Sequence, residues 1–359
     1  MDTALKSSIR SISRLLALAA LAFSVLVQAQ ELKPLSATIS EKIKLTSVAG
    51  NSSTAQTVSN PKAQHLAESV TLAEQVPIAD IHFHLESPFT PANIKTLLDR
   101  NNVRWAGGVG PIGRGLGSDF RQGFIDALGE RYIAALGQPE LAVVYFTQGA
   151  SATENAGTPL FRALLERAET EFKTGKLKGF GELFPNNRTS APHGFGRKVA
   201  TDAPTMRALY QLAAKYGGFL AMHIEPDRDS LQQLDILAAI EPRATVILSH
   251  CGVSAGTETI SSLFDKHPNI YCDLAWRSPP VARGPQLAVR TIFDETGVKP
   301  DWHDLIEQRP DRFMIGTDAY CCDYSQAIDS FRKWLLPWLS PATLRKVAYE
   351  NAQRIMNLN

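Results

Sequence analysis

Short apolar runs alternate with longer amphipathic segments from about residue 76 to the end of the chain. The runs have the length of strands, and the segments between them repeat apolar residues at helical spacing. The predicted strands are 76–85, 103–109, 141–147, 178–184, 219–224, 244–250, 269–274 and 312–318. Strands that alternate with helices, in a segment close to the ~250 residues of a typical barrel, predict an α/β protein with a parallel eight-stranded (β/α)8 TIM barrel.

Capping residues and stop signals place the helices between these strands. Thr90 and Pro91 open a helix at 90–101, since Thr is a good N-cap and Pro suits the first helical position. We expect a helix over 118–136, which leaves the continuous apolar run 141–147 as the third strand. The other predicted helices are 158–173, 202–216, 230–240, 257–267, 324–338 and 341–356, with one or two more within 285–309.

Residues 1–29 have the pattern of an export signal. Lys6, Arg10 and Arg14 precede the apolar run 15–27, and a small-x-small pattern ends at Ala29, after which we expect cleavage. The run is shorter than the ~20 residues that span a bilayer comfortably, so an uncleaved anchor is the weaker alternative. The sequence therefore predicts an exported protein, most simply in a bacterial periplasm, with no membrane contact beyond export.

Residues 30–75 are rich in Ser, Thr, Ala and Asn and show little periodicity. This composition is typical of a flexible linker or a loosely packed N-terminal arm. The chain is thus predicted to consist of a leader at 1–29, an arm at 30–75 and the barrel at 76–359.

Composition and charge limit the classes of partner that the sequence leads us to expect. The chain has 44% hydrophobic and 20% charged residues and a formal net charge of +1, with no long basic run. Such a surface gives no reason to expect nucleic acid as a partner, and it leaves a small-molecule substrate as the expected one. A homo-oligomer is compatible with the sequence. The four cysteines, Cys251, Cys272, Cys321 and Cys322, could form a disulfide in an oxidising compartment or be buried free thiols.

Polar residues that bind metals fall at the ends of the predicted strands. His82 and His84 share one face of the first strand, an arrangement that either forms half of a divalent metal site or reflects chance spacing. All strands of a parallel barrel open at the same face, where active sites are built. We therefore expect convergence of six side chains at that face: His82, His84, Glu182, His223, His250 and Asp318.

Two loops are candidates for substrate contacts. The long polar loop 186–200 contains His193, which we expect to matter little, and Arg197. Trp276 and Arg277 follow the seventh strand and could shape a pocket or bind an anionic substrate group.

Taken together, these motifs resemble the amidohydrolase superfamily, in its compact branch without an added β-sandwich domain. The likeness covers about residues 76–357. It rests on His82-Phe83-His84, on Gly-Phe-Gly-Glu-Leu at 179–183, on His223, on Ser249-His250-Cys251-Gly252, on Gly316-Thr317-Asp318 and on Asn-Ala-Gln-Arg-Ile at 351–355.

The resemblance implies a metal-dependent enzyme with one or two divalent ions, zinc being expected and manganese the alternative. His82, His84 and Asp318 would hold one ion. His223 would either complete that site or serve a second ion with His250. Glu182 stands where relatives with two metals have a bridging carboxylate.

The implied chemistry is hydrolysis by water activated on the metal, which would cleave an amide, ester, lactone or phosphoester of a small molecule. Asp318 would transfer the proton, and His250, where it is not a ligand, would hydrogen-bond the substrate carbonyl or the nucleophile. The alternatives are a metal-dependent decarboxylase of the same superfamily and a non-catalytic barrel that binds a metal or a ligand. A nuclease is disfavoured because the sequence lacks a basic stripe for phosphates.

Overall fold

The computed structural model describes residues 61–86, 88–110, 118–191, 194–277, 291–294, 297–319 and 324–359. The predictions for the leader, for most of the arm, for His193 and for Cys321 and Cys322 lie outside these residues. Within them, no helix combines the length and the apolar character that a bilayer crossing requires.

Parallel strands form the barrel predicted from the sequence. The strands are β1 (Ile78–Phe83), β2 (Val103–Gly108), β3 (Tyr132–Ile133), β4 (Ala135–Gly137), β5 (Gly179–Asn186), β6 (Phe219–Ile224), β7 (Thr245–Leu248), β8 (Ile270–Asp273) and β11 (Phe313–Met314), with an antiparallel pair, β9 (Phe293–Asp294) and β10 (Gly297–Val298), between the last two. Since β3 pairs with β2 and β4 pairs with β5, these two short strands share one position of the (β/α)8 barrel.

Backbone contacts between β1 and the segment after β11 close the ring. The Ile81 amide donates to the Ile315 carbonyl at 3.1 Å, and the His84 amide donates to the Ala319 carbonyl at 3.0 Å. This closure sets the two histidines of β1 beside the residues that follow the last strand.

Helices surround the strands largely where the sequence predicts them. The helices are α1 (Pro61–Gln75), α2 (Pro91–Arg100), α3 (Ser118–Leu128), α4 (Gln138–Gln148), α5 (Ala150–Glu154), α6 (Pro159–Lys173), α7 (Pro204–Lys215), α8 (Arg228–Ile240), α9 (Thr257–Lys266), α10 (Pro300–Gln308), α11 (Tyr324–Ser330), α12 (Pro341–Arg345) and α13 (Asn351–Ile355). Thr90 caps α2 as expected, through a reciprocal capping box with Asn93.

The prediction for the third strand was wrong. Residues 141–147 lie inside α4, and the third barrel position is filled by 132–137, although the sequence predicted a helix that continues to residue 136. A short apolar run cannot be distinguished from a buried helical segment by periodicity alone. Pro139 in the first turn of α4 and the burial of Leu141 and Val144, three residues apart, fit the helix.

Part of the predicted arm packs against the barrel. Residues 61–75 form α1, in which the Ser69 hydroxyl donates to the Leu339 carbonyl at 2.7 Å. Arg332 donates to the carbonyl of Ala73 at 2.6 Å. The last turns of the arm are therefore a docked helix rather than a loose linker.

The C-terminal segment lies at the amino ends of the strands. Lys178, just before β5, donates to the carbonyl of Asn357, and Asn357 in turn donates to the carbonyl of Gly217, just before β6. Ile355 and Met356 join the apolar cluster that includes strand residues. At the opposite end of the barrel, where the strands end, lie the polar residues of the candidate site.

Candidate metal centre

The structure brings together all six residues predicted at the strand ends. His82 and His84 lie at the end of β1, Glu182 in β5 and His223 in β6, while His250 follows β7 and Asp318 follows β11. All six are buried, with at most 8% of their surface accessible. Groups of this polarity are buried only when they are paired with one another or with an ion.

A first group is formed by His82, His84, Glu182 and Asp318, whose ligand atoms lie within 4.8 Å of one another. The Nε2 of His84 lies 3.0 Å from Oδ1 of Asp318. The Nε2 of His82 lies 3.3 Å from that same oxygen and 3.3 Å from Oε2 of Glu182. Two imidazoles and two carboxylates thus face one point.

A second group shares Glu182 with the first. Its Oε1 lies 3.0 Å from Nδ1 of His223 and 3.1 Å from Nε2 of His250. One oxygen of Glu182 therefore faces each group. This is the geometry that a carboxylate needs in order to bridge two ions.

Hydrogen bonds at the far side of the rings fix which nitrogen faces the centre. The Nδ1 of His84 lies 2.7 Å from the Gly110 carbonyl, and the Nδ1 of His250 lies 3.2 Å from the Ala275 carbonyl. A carbonyl only accepts, so in both rings Nδ1 carries a proton, and in the neutral form of each ring Nε2 presents its lone pair to the centre. Ligand histidines are typically oriented in this way.

Asp273, at the end of β8, orients the imidazole of His82 and holds the backbone of His250, and it was not assigned a role from the sequence. Its Oδ2 lies 3.0 Å from Nδ1 of His82, and its Oδ1 accepts the amides of His250 at 2.9 Å and of Ala275 at 3.0 Å. The rule that identified the other residues, a polar side chain at a strand end, would have found it.

Ser190, in the loop after β5, supports His223 and was also missed. Its hydroxyl lies 2.8 Å from Nε2 of His223, whose Nδ1 faces Glu182. The amides of Thr189 and Ser190 donate to the carboxylate of Glu225 at 2.8 and 2.6 Å. Glu225 lies two residues beyond His223, so the loop and the ligand strand are tied together.

The backbone is left-handed where it presents two of the site residues. His250 has φ 54°, Asp318 has φ 53° and the neighbouring Trp276 has φ 55°. Non-glycine residues in this region cost about 1–3 kcal/mol each and persist only when the surrounding structure imposes them. Such strain concentrates at functional sites.

Arg277 fixes the loop after β7 through hydrogen bonds to the backbone of that loop. Its guanidinium donates to the carbonyls of His250 and Cys251 at 2.8 and 2.9 Å and packs over Trp302. These contacts favour a structural role and give no support to the substrate contact expected from the sequence. Trp276 is half-buried, with its ring centroid 5.8 Å from that of His250, so it lies at the edge of the centre.

A disulfide joins two of the cysteines, Cys251 and Cys272. Of the two alternatives left open by the sequence, the structure has the disulfide for this pair. Cys251 directly follows His250 and Cys272 directly precedes Asp273, so the bond ties together the two backbone segments that carry these residues.

The charges of the centre perturb one another strongly. Burial alone would raise the pKa of Glu182 and of Asp318, but the charge of His82 and hydrogen bonds from the imidazoles hold both values below the usual range. Burial acts to lower the pKa of His82, yet Glu182, Asp273 and Asp318 raise it well above normal. The pKa of His84 is also raised, against burial, by Asp318. The positive charge of the imidazoles thus holds both carboxylates in the ionised form.

The residues present fit a divalent ion. Within the described part of the chain, Nε2 of His82 is buried and makes no hydrogen bond, although it faces carboxylate oxygens of Glu182 and Asp318. A buried polar atom without a partner is costly, and a cation between these groups would satisfy it. Imidazole nitrogens with carboxylate oxygens suit zinc and manganese among the common ions.

In barrel enzymes the active site lies at the face where the carboxyl ends of the parallel strands open. The clustered histidines and acids of this chain lie at that face. The model of the amidohydrolase family matches residues 79–358, and the chain therefore belongs to that family. Enzymes of this family are metal-dependent and act on small molecules.

Three solved structures among those similar to this chain each have a low sequence identity to it. An amidohydrolase from Burkholderia multivorans with bound zinc shares 14% identity, with 76% of this chain and 89% of that chain covered and a TM-score of 0.42. A dihydroxybenzoic acid decarboxylase from a Polaromonas species with bound manganese shares 15%, with 74% and 86% covered and a TM-score of 0.43. A probable 2-pyrone-4,6-dicarboxylic acid hydrolase from Acinetobacter baumannii shares 11%, with 79% and 97% covered and a TM-score of 0.44. No curated protein matches the chain.

Ion binding should release protons. The pKa of His82 is raised well above normal by the surrounding carboxylates, so this ring favours the protonated form in the metal-free protein, and the raised pKa of His84 acts in the same direction, whereas a ligand imidazole must be neutral. We expect the affinity for zinc to increase as the pH rises from about 6 to 8, with about one proton or more released per ion near pH 7. Titration calorimetry in buffers of different ionisation enthalpy measures this number. A binding enthalpy that does not depend on the buffer would contradict the assignment.

Asp273→Asn should weaken ion binding without unfolding the barrel. The amide keeps the shape of the side chain but removes the charge beside Nδ1 of His82, and such changes around metal ligands cost about 10–100-fold in affinity. Competition with a chromophoric chelator measures the loss. Asp235→Asn is the matched control, since Asp235 pairs with His267 at 2.9 Å outside the centre. Equal affinities in the two variants would show that Asp273 does not orient the ligand.

Proposed function

We propose that this protein is a hydrolase with a centre of two divalent ions, zinc or manganese, that cleaves an amide, ester, lactone or phosphoester bond of a small molecule. The proposal is carried by one observation, the two groups of ligand-type atoms that meet at the opposite oxygens of Glu182. The proposed ligands are His82, His84 and Asp318 for one ion, His223 and His250 for the other, and Glu182 for both.

Asp318 is the group best placed to move protons. A divalent ion, when bound, lowers the pKa of water from 15.7 to about 7 and polarises a carbonyl or phosphoryl oxygen. The Oδ1 of Asp318 faces His84, and its Oδ2 lies 3.9 Å from Nε2 of His250. Asp318 is ionised, because the neighbouring imidazoles hold its pKa below the usual range, and a free carboxylate oxygen is a site for the proton of the attacking water. It then donates that proton to the leaving group.

His250 acts as a ligand in this proposal. Its Nδ1 faces the Ala275 carbonyl, so the neutral ring offers a lone pair rather than a proton at Nε2. A ring in this tautomer cannot donate to a substrate carbonyl, which was one of the two alternative roles expected from the sequence. The 3.1 Å approach of Nε2 to Glu182 also favours the ligand role.

Substitutions at the centre should abolish turnover. We expect His82→Ala and Asp318→Asn to lower kcat/KM by about a hundredfold or more, because each removes a ligand or the proton acceptor. The assay is a panel of p-nitrophenyl esters, lactones and bis(p-nitrophenyl) phosphate, before and after treatment with a chelator and after zinc or manganese is restored. His303→Ala, on α10, is the control.

Several outcomes would overturn the proposal. Wild-type rates in either variant, or turnover that resists chelation, would exclude the assigned centre. Release of carbon dioxide from an aryl carboxylate without any hydrolysis would replace the hydrolase by the decarboxylase. Bound metal with no turnover of any kind would favour the binding protein.

We also propose that the chain is exported with cleavage after Ala29. The leader pattern supports this, and the buried disulfide between Cys251 and Cys272 is compatible with an oxidising compartment. When the full chain is expressed in a Gram-negative host, we expect periplasmic protein whose N-terminal sequence begins at Gln30. Full-length protein recovered only from the cytoplasm or the membrane would contradict export.

A further inference from the structure

Arg197 is a buried cation beside the centre with an incomplete set of partners. It lies in the loop after β5, and 8% of its surface is accessible. Its guanidinium packs over the ring of Phe184 at 4.6 Å and lies 5.6 Å from the ring centroid of Phe146. Within the described residues, Nε and Nη1 are buried and make no hydrogen bond.

The charge of Arg197 persists despite burial. Burial lowers the pKa of Arg197 to about 10, still far above neutrality, and the Glu182 carboxylate acts to raise it. Other buried arginines have a partner for their charge or for their donors: Arg121 pairs with the Glu171 carboxylate at 2.7 Å, although its Nη1 makes no hydrogen bond within the described residues, and Arg277 donates to backbone carbonyls. A buried charge without hydrogen bonds is costly, so its presence calls for a partner that arrives from outside the chain.

Contacts of the side chain and of the loop backbone place this cation next to the centre. The Arg197 amide donates to Oδ1 of Asn187 at 2.8 Å, and the Asn187 amide donates to the Arg197 carbonyl at 3.2 Å, so the loop backbone is fixed. Phe184, under the guanidinium, has its ring centroid 5.2 Å from that of His223. Phe184 therefore contacts both the guanidinium of Arg197 and the ring of the proposed ligand His223.

We propose that Arg197 binds a carboxylate of the substrate, so that the hydrolase acts on small organic acids whose scissile bond lies at the ion centre while their carboxylate meets the guanidinium. This inference rests on the proposed function. A planar guanidinium matches a carboxylate in shape and in charge, and the aromatic rings beside it suit a flat apolar body. A single cation next to the acids of the centre fits a monoanion better than a phosphate dianion.

The experiment compares anions with uncharged molecules of the same shape. Binding of benzoate and benzamide, and of acetate and acetamide, is measured by titration calorimetry on the full-length protein, both loaded with zinc and treated with chelator. We expect each carboxylate to bind wild type about tenfold or more tightly than its amide. Arg197→Gln should remove this preference and leave the amides unaffected.

Two further variants make the test specific. Arg188→Gln, at an exposed position of the same loop, should bind as wild type does. Arg197→Lys keeps the charge but loses the planar donor group, so it should retain only part of the preference, and it provides the comparison if Arg197→Gln does not fold. Thermal melting and zinc content of each variant show whether the fold and the centre are intact.

The inference is overturned if the carboxylates bind no tighter than the amides, if neither carboxylate binds, or if the preference survives in both Arg197 variants. Binding of inorganic phosphate more tightly than either carboxylate, in an Arg197-dependent way, would also overturn it in favour of a phosphate ester. Two other measurements test the proposed function independently: the protein would take up no zinc, or its turnover would be insensitive to a chelator, if that function were wrong. Arg197 is not a proposed ligand, and the carboxylate comparison on chelated protein remains valid in that case.

Discussion

The buried carboxylate of Glu182 is the constraint around which the centre is arranged. It is 1% exposed, it is ionised, and its two oxygens are approached by imidazoles of different groups. An ionised carboxylate is tolerated at such depth only with close positive partners. In the protein alone the imidazoles provide that charge, and a pair of divalent ions would replace it and leave those rings neutral.

The barrel provides the rigidity that this arrangement needs. The Asp318 amide donates to the His82 carbonyl at 2.6 Å, so the first and last strands present their side chains in a fixed relation. Gly316 allows this close approach, because a Cβ there would lie 2.5 Å from the Cβ of His82. Asp273 and Arg277 then fix the loop that carries His250. Strained backbone at His250 and Asp318 is held by these contacts.

The sequence predicted the barrel and the six strand-end residues because both follow from local patterns. A His or Asp that ends an apolar run is visible in one dimension, and a parallel barrel brings such ends together. The third strand failed because the run 141–147 satisfies helix and strand equally well, and the choice depends on packing of the whole barrel.

Residues that act through other residues were harder to predict. Asp273 was missed although it ends a strand, since nothing local shows that its partner is a ring on β1. Ser190 and Glu225 support His223 through contacts between two loops, which sequence spacing does not reveal. For Arg277, the prediction that it binds an anionic substrate group was based only on the charge of its side chain. The carbonyls that accept from it lie 22–27 residues away in the chain.

Anomalous diffraction from crystals grown with zinc tests the central claim most directly. Data collected on either side of the zinc absorption edge locate the ions without reference to any assumed chemistry. We predict two peaks flanking Glu182, one next to His82, His84 and Asp318 and the other next to His223 and His250. A map without a peak at the carboxyl ends of the strands, or with zinc only at surface residues, would contradict the account.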